Sequence, residues 1–460
     1  MKALQLSDVA RMAGGRLQGD DIMVDAIATD TRAMPANGRA LFVALKGENF
    51  DGHDHVAAAR RGGAIAALVS RAVDADLPHV VVADTERALA QFAAALQRER
   101  SGKVVAITGS NGKTSVKTLL LAILQRAGRT YANPGNRNNE IGLPLAVIDA
   151  PDDAEFAVYE MGAGKPGDIA YLTGVVRPDV SVVNNIAPAH LERMGSLLGV
   201  ADTKAAIYDA LPHDGVAVVN ADDAFAPYFA ERALGRRVLR FGIESSADIT
   251  AQDIRTAEAG SQFTLITPQD SGAITLSLPG RHNVRNALAA AALALGAGAP
   301  FDAVVAGLNA AQPVAGRLIS HALRDGVTLI DDSYNANPGS LNAAIDTLAQ
   351  GQGASWLVLG DMRELGVDAP LLHAEAGRRA KAAGIARVYA LGELSARAAD
   401  AFGEGARSFA SHAALAQALR ADIAGPADAG GIRILVKGSR GSAMDRVVQA
   451  LLEGEGRDAA

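Results

Sequence analysis

Residues 104–118 read VVAITGSNGKTSVKT, and this stretch decides how the rest of the chain is organised. Val104 to Thr108 is a short β-branched run of the kind that forms a buried strand. Gly109-Ser110-Asn111-Gly112 is a tight turn. Lys113, Thr114 and Ser115 then open a helix that continues through Leu119-Leu120-Leu121. A strand, a glycine turn and a helix N-terminus make a phosphate cradle: backbone N–H groups point at the anion and the helix dipole favours its charge. Lys113 is placed to neutralise terminal phosphates, and the Thr114 hydroxyl to sit on Mg²⁺. Gly109 and Gly112 permit backbone angles and close approach that a Cβ would block. The usual spacing is G-x-x-x-x-G-K-[ST]; here Ile107 stands at the first glycine position, leaving G-x-x-G-K-T. An ordinary glycine turn with a solvated lysine is the plain alternative. Gly, Lys and Thr all falling at one strand-to-helix junction favour a bound nucleoside triphosphate.

The 460 residues are too many for one core, so about three domains are expected. With 49% hydrophobic and 21% charged residues the chain has the composition of a soluble globular protein. A net charge of −7 offers no basic field for nucleic acid, although local lysines and arginines can still bind an anionic substrate. The absence of cysteine excludes disulfides, thiolate nucleophiles and Cys-ligated zinc. No apolar run reaches the length of a membrane span, and MKALQLSDVARMAGG carries charges where a signal peptide needs an apolar core. A cytoplasmic enzyme, with no nucleic-acid partner and no membrane span, is the expectation.

Outward from the loop, the chain divides into residues 1–100, 101–314 and 315–460. The first segment alternates expected strands (Leu41–Leu45, Ala64–Val69, His79–Ala83) with helices (Ser7–Met12, His55–Arg61, Glu86–Arg98), which makes a small α/β domain. In the second, strands are expected at Val104–Thr108, Phe156–Glu160, Val180–Asn184 and Val216–Asn220, an alternation that implies a parallel sheet covered on both faces. Phe263–Thr267 and Ala273–Leu278 read as an appended hairpin, followed by a helix over His282–Leu295. The third repeats the doubly wound pattern with strands at Val327–Asp331, Ser355–Leu359, Arg387–Leu391 and Arg433–Val436. Its helices are expected at Ser340–Ala349, Leu371–Ala383 and Ala443–Leu452, with a loop at Gly425–Gly431 and a frayed tail from Glu453 to Ala460.

Ligands collect at the carboxyl ends of strands in open parallel sheets. Glu160 ends FAVYE on the same rim as the phosphate loop, placed either to hold Mg²⁺ or to cap a helix in solvent. His190, in NNIAPAHLE, lies past the next strand; it is a ligand or an ordinary structural histidine. Lys204, in VADTKAAIY, reads by spacing alone as a solvated helix lysine. Asn283, in PGRHN, is either a phosphate or base contact or a helix cap. Arg317 falls at a domain junction, where it stabilises a transferring phosphoryl group or makes a structural salt bridge. Three further strand ends carry polar clusters: Asp331, Asp332, Tyr334, Asn335 and Asn337; Asp361 with its flanking glycines; and Lys437 to Ser442. Three on one sheet make a binding face the better reading than three capped loops.

Taken together, TGSNGKTS, Glu160, NNIAPAHLE, Lys204, GRHNVRNALAA and Gly316-Arg317-Leu318, in that order over almost the whole chain, resemble the Mur ligases, the ATP-dependent amide ligases of peptidoglycan precursor synthesis. NPGNRNNEIGLPLAV, EMGAGKPGDI, DDSYNANPGS, LGDMRELG and KGSRGSAMD are similar to the family member that joins D-alanyl-D-alanine to UDP-N-acetylmuramoyl-tripeptide. Asn337-Pro338-Gly339-Ser340 stands where the diaminopimelate-adding member carries D-N-P-R, and Ala206 stands where the family often has Glu. The resemblance implies a UDP-binding first domain with Thr31, Arg32, Lys46, Gly47 and Asn49 as contacts, a central P-loop ATPase domain and a C-terminal Rossmann-like domain. It implies that Asn136, Asn138 and Asn139 border the muramoyl peptide. Gly109, Asn111, Gly112, Lys113, Thr114, Ser115, Glu160, Asn283 and Arg317 would handle ATP and a first magnesium. His190 and a carbamylated Lys204 would hold a second. Asp332, Tyr334, Asn335, Asn337 and Asp361 would contact nucleotide or dipeptide. A monomer is expected. The rival readings are another Mur-type or folylpolyglutamate-type ligase with a different amine, or a non-catalytic ATP-binding regulator.

Overall fold

The β-branched runs form strands whose alternate residues feed two different cores. In the computed structural model, which describes residues 1–73, 76–257, 259–314, 316–324, 326–424 and 431–458, the central sheet has six strands. Their spatial order is Arg237–Phe241, Val216–Asn220, Val180–Val183, Lys103–Thr108, Phe156–Glu160, Thr130–Ala132, and every pairing is parallel. Val105, Ile107, Val158, Val182 and Val218 pack with helices Lys113–Leu124 and Arg281–Gly296. The alternate residues Val104, Ala106, Tyr159, Val183 and Val219 pack on the opposite face, with helices Gly142–Asp149, Asp168–Val176 and Leu197–Asp209. Burial on both faces explains the absence of polar alternation in these strands. The phosphate-loop strand lies between Phe156–Glu160 and Val180–Val183, where the direction of winding reverses, so their carboxyl ends share one crevice.

A five-stranded sheet (Arg16–Gln18, His79–Val81, Ala64–Val69, Ala40–Val43, Ala26–Ala28) makes the first unit, joined to the central one through helix Thr85–Glu99, which packs on Gly142–Asp149 and Asp168–Val176. The C-terminal sheet runs Ile319–Arg324, Val327–Asp332, Ile432–Lys437, Ala354–Gly360, Arg387–Leu391, Ala406–Phe409. Only its first pair is antiparallel. The three strands that end in polar clusters are adjacent in it.

Several elements differ from the sequence expectation. The hairpin is a three-stranded antiparallel sheet, because Thr250–Ala257 pairs with Gly260–Ile266. That strand hid its period behind exposed Gln252, Asp253 and Arg255 and a break in register. The edge strands Arg237–Phe241, Ile319–Arg324 and Ala406–Phe409 and the helices Phe301–Ala310, Glu393–Phe402 and His412–Ile423 were likewise not anticipated. The tail is helical to Asp458 rather than frayed from Glu453, since buried Val447, Val448 and Leu451 anchor its helix. Residues 425–430, 459 and 460 and Ala315 lie outside the described residues.

Candidate functional site

The phosphate loop closes on a network of amides. Gly112 sits at φ 78 as the N-cap of helix Lys113–Leu124, with no side chain satisfying the helix N–H groups. A Cβ there would lie 2.5 Å from both Asn184 Nδ2 and Asn286 Oδ1. Asn185 Oδ1 accepts the Asn111 N–H (2.9 Å), and Asn184 Nδ2 donates to the Asn111 carbonyl (3.0 Å) and to Asn286 Oδ1 (3.0 Å). The loop is thus held open with free donors at its mouth, a ready anion site. Lys113 Nζ donates to the Gly109 carbonyl at 2.8 Å. Burial lowers the Lys113 pKa, opposed by the Glu160 charge.

Glu160 is buried, not solvated. Burial alone would raise its pKa, but Lys117, then Lys113, and hydrogen bonds from Thr114 and Asn138 outweigh that and hold it below the ordinary glutamate value. Thr114 Oγ1 donates to Glu160 Oε2 at 2.9 Å, Asn138 Nδ2 to Oε1 at 3.0 Å, and Lys117 Nζ lies 3.3 Å from Oε2. Lys117 also donates to the Asn133 and Gly135 carbonyls (3.1 Å each), and Asn133 Oδ1 accepts the Glu160 N–H. Lys117 escaped the sequence reading because a lysine one turn into a helix looks solvated. Its one signal was position: it lies three residues after Thr114, on the same helix face.

The C-terminal domain completes the cleft. Arg317 Nη2 donates to Thr114 Oγ1 at 3.0 Å and its guanidinium stacks 4.5 Å over the Tyr334 ring. Among the described residues it has no ion-pair partner, so the salt-bridge alternative has no support in the contacts. Asn337 caps helix Pro338–Ala349, its Oδ1 accepting the Ser340 N–H, while its Nδ2 donates to Asn111 Oδ1 at 2.7 Å. Asp332 pairs with Lys437 (2.5 Å) deep in the fold; burial raises the Asp332 pKa and Lys437 opposes it. Asn335 gives its carbonyl to Lys437. His190, at φ 55, contacts Glu364 of the C-terminal domain through Nδ1. Burial lowers the His190 pKa, against the pull of Glu364.

One cleft of about 670 Å³ gathers Asn111, Gly112, Lys113, Thr114, Ser115, Asn138, Asn139, Glu160, His190, Asn283, Arg317, Asp332, Tyr334, Asn335 and Asn337. It also takes in His282, which was not anticipated and which burial pushes down to about 4, so that it is neutral. Asn283 does not cap its helix by accepting an N–H: its Nδ2 donates to the Pro279 carbonyl and its Oδ1 accepts from Asn286. Other expected residues do not line the cleft. Gly109 lies beneath the loop, where Lys113 folds back on its carbonyl. Asn136 gives its carbonyl to the Asn138 N–H. The Asp361 carboxylate accepts the Ser395 N–H at 2.7 Å, near the start of helix Glu393–Phe402. Thr31, Arg32, Lys46, Gly47 and Asn49 belong to loops of the first sheet; Arg32 is engaged by Asp30, and Gly47 N–H by the Phe50 carbonyl.

Lys204 overturns its spacing-based reading: it is 2% exposed, on the inner face of helix Leu197–Asp209. Burial, then the Lys113 charge, drives its pKa well below the ordinary lysine value. Among the described residues its amine has no hydrogen-bond or ion-pair partner.

Among the described residues no group of three or more His, Asp or Glu side chains is arranged to hold a metal. A hydroxyl and one carboxylate in contact at the phosphate loop instead fit Mg²⁺ carried by a nucleotide, which takes one or two carboxylates and fills the rest with phosphate oxygens and water. A phosphate loop on a parallel sheet, facing an arginine from the turn that leads into a second, mostly parallel sheet, defines a nucleotide-dependent α/β protein of three domains. Profiles described as "Mur ligase family, catalytic domain", "Mur ligase middle domain" and "Mur ligase, glutamate ligase domain" match residues 23–97, 107–294 and 316–440. The UDP-N-acetylmuramoyl-tripeptide–D-alanyl-D-alanine ligase of Escherichia coli K12 is 45% identical over 98% of this chain and 99% of its own length. The structure of MurF from Acinetobacter baumannii superposes with a TM-score of 0.94, at 33% identity, covering 98% of this chain and 99% of that one. That of MurF ligase from Thermotoga maritima in complex with ADP gives 0.83, at 28% identity and 95% and 98% coverage. The chain belongs to the Mur ligase family.

Proposed function

We propose that this chain joins D-alanyl-D-alanine to UDP-N-acetylmuramoyl-tripeptide, converting ATP to ADP and phosphate. The observation that carries this reading is the 3.0 Å contact between Arg317 of the C-terminal domain and Thr114 of the phosphate loop. It puts a cation opposite Lys113, across the position a terminal phosphate takes at such a loop.

A carboxylate reacts with an amine only once one of its oxygens becomes a leaving group. The tripeptide carboxylate oxygen attacks the γ-phosphorus, the bond to the β-bridging oxygen breaks, and ADP leaves an acyl phosphate. The dipeptide amine then attacks the acyl carbon; the tetrahedral intermediate expels phosphate and the nitrogen loses a proton. Lys113 and Arg317 neutralise charge that grows on the transferring group. The amides around Asn111 fix the loop so that this costs no rearrangement. Docking of the C-terminal domain over the cleft excludes water from the acyl phosphate.

Thr114 and Glu160 would hold one Mg²⁺, and His190 with Lys204 a second, each supplying charge neutralisation to phosphate oxygens. An ammonium has no lone pair to ligate. The neutral amine that burial favours at Lys204 can attack CO₂: a C–N bond forms, one proton leaves, and the side chain ends in a carbamate. Asn138 and Asn139 would border the acceptor peptide, and Asp332, Tyr334, Asn335 and Asn337 the nucleotide or dipeptide. Thr31, Arg32, Lys46, Gly47 and Asn49 would contact the uridine diphosphate. The enzyme would act as a monomer in the cytoplasm, where ATP is supplied.

Incubating the pure protein with ATP, UDP-N-acetylmuramoyl-tripeptide and D-alanyl-D-alanine should give a product heavier than the acceptor by the dipeptide less one water. No mass increase, or one only with another amine, refutes the reading.

A further inference from the structure

His190 and Glu364 meet from two domains, and both are non-glycine residues in the left-handed region, at φ 55 and φ 62. Residues held in that region persist only where their surroundings fix them, and they cluster at functional sites. Each has such surroundings. His190 follows strand Val180–Val183 and caps the short helix Leu191–Met194. Glu364 follows two loop residues tied down by its own domain: the buried His373 ring accepts the Met362 N–H through Nε2 (2.9 Å), and Ser439 Oγ accepts the Arg363 N–H (2.9 Å). The carboxylate therefore arrives with the C-terminal domain as one body.

The contact uses His190 Nδ1. A carboxylate at Nδ1 fixes the proton there and leaves Nε2 as a bare lone pair. His190 lines the cleft, and the Lys204 and Lys113 charges act on its ring. We propose that Glu364 is a positioning residue that couples domain docking to the active centre, setting the His190 tautomer so that Nε2 faces the cleft as an acceptor only when the C-terminal domain is in place. The proposal rests on the reading of His190 as a ligand given above. Because both side chains are half-exposed, the pair adds little to stability, and its value lies in orientation.

The test uses full-length protein labelled with ¹⁵N-histidine, without nucleotide, the His190 signals being assigned by their loss in His190→Gln. The wild type should show the Nδ1-protonated tautomer, and Glu364→Ala should move His190 toward Nε2 protonation. The same variant should lose about 10- to 100-fold in kcat, the scale of removing a group that orients a ligand, with KM for ATP and acceptor within about threefold. Glu364→Gln retains an acceptor oxygen and should recover much of both signatures. In a His190→Ala background Glu364→Ala should cost nothing more. An unchanged tautomer in Glu364→Ala overturns the proposal, as does normal kcat. A dead His190→Ala beside a fully active Glu364→Ala overturns it alone, whereas full turnover by His190→Ala overturns the ligand reading with it.

Discussion

Lys204→Met separates what the buried lysine does for the fold from what it does for chemistry. The stem of Lys204 is buried on the inner face of helix Leu197–Asp209, and methionine replaces it at similar length. What the change removes is an amine without a hydrogen-bond partner among the described residues. Burying such a group costs about 1–3 kcal/mol, so Lys204→Met should be more stable than wild type by that amount when bicarbonate and magnesium are absent. For a domain of about 200 residues this corresponds to roughly 2–12 °C in Tm. The pH dependence has a definite sign. The folded pKa lies well below the ordinary lysine value of 10.5, so between the two values the unfolded chain binds the proton and the folded chain does not. The penalty on wild type therefore shrinks as pH rises, and the advantage of the methionine variant should narrow from pH 7 towards pH 10.5. Turnover should fall on the order of 100-fold or more, the loss expected when one element holding transition-state charge is removed. Scanning calorimetry across pH, with a phosphate-release assay, reads both. A variant with normal turnover, or one less stable than wild type at pH 7, would refute the reasoning.

Lys113→Ala should abolish ligation with an unchanged circular-dichroism spectrum, since the amine serves the nucleotide and the loop is held by Asn184 and Asn185; wild-type-like phosphate release would contradict this. D-alanyl-D-alanine should be used far better than free D-alanine, because unmatched polar groups in the cleft penalise an amine lacking the second residue; competition with product masses read by mass spectrometry decides it. Lys117→Met should destabilise the protein by about 3–5 kcal/mol in urea unfolding, the cost of stranding one member of a buried ion pair. With the strongest of its neighbouring positive charges gone, the Glu160 pKa should rise, and activity in Lys117→Met should fall off at a higher pH than in wild type.

What the sequence could show was set by how local each signal was. The strands at Phe156–Glu160 and Val216–Asn220 were legible to the residue because both their faces are buried and the apolar run is unbroken. Edge strands such as Ile319–Arg324 were not, since one open side lets polar and charged residues break the pattern. The phosphate loop was legible because its chemistry lies within ten residues of chain. Lys117 and Glu364 were not, because their roles depend on partners 43 and 174 residues away, Glu160 and His190. Asp361 shows the reverse failure: the end of a strand marks a rim, but the local turn of the chain aims its carboxylate at Ser395 rather than into the cleft.

The Asn337 amide presents its oxygen to its own helix and its NH₂ to Asn111 of another domain. The capping bond immobilises that side chain whether or not the two domains touch. Rotamer freedom that docking would otherwise remove, on the order of 1 kcal/mol for a flexible polar side chain, is already gone in the separated state. The recognition surface is therefore rigid before the encounter. Opening and closing over the cleft can then be nearly balanced in free energy, as repeated substrate entry and product exit require.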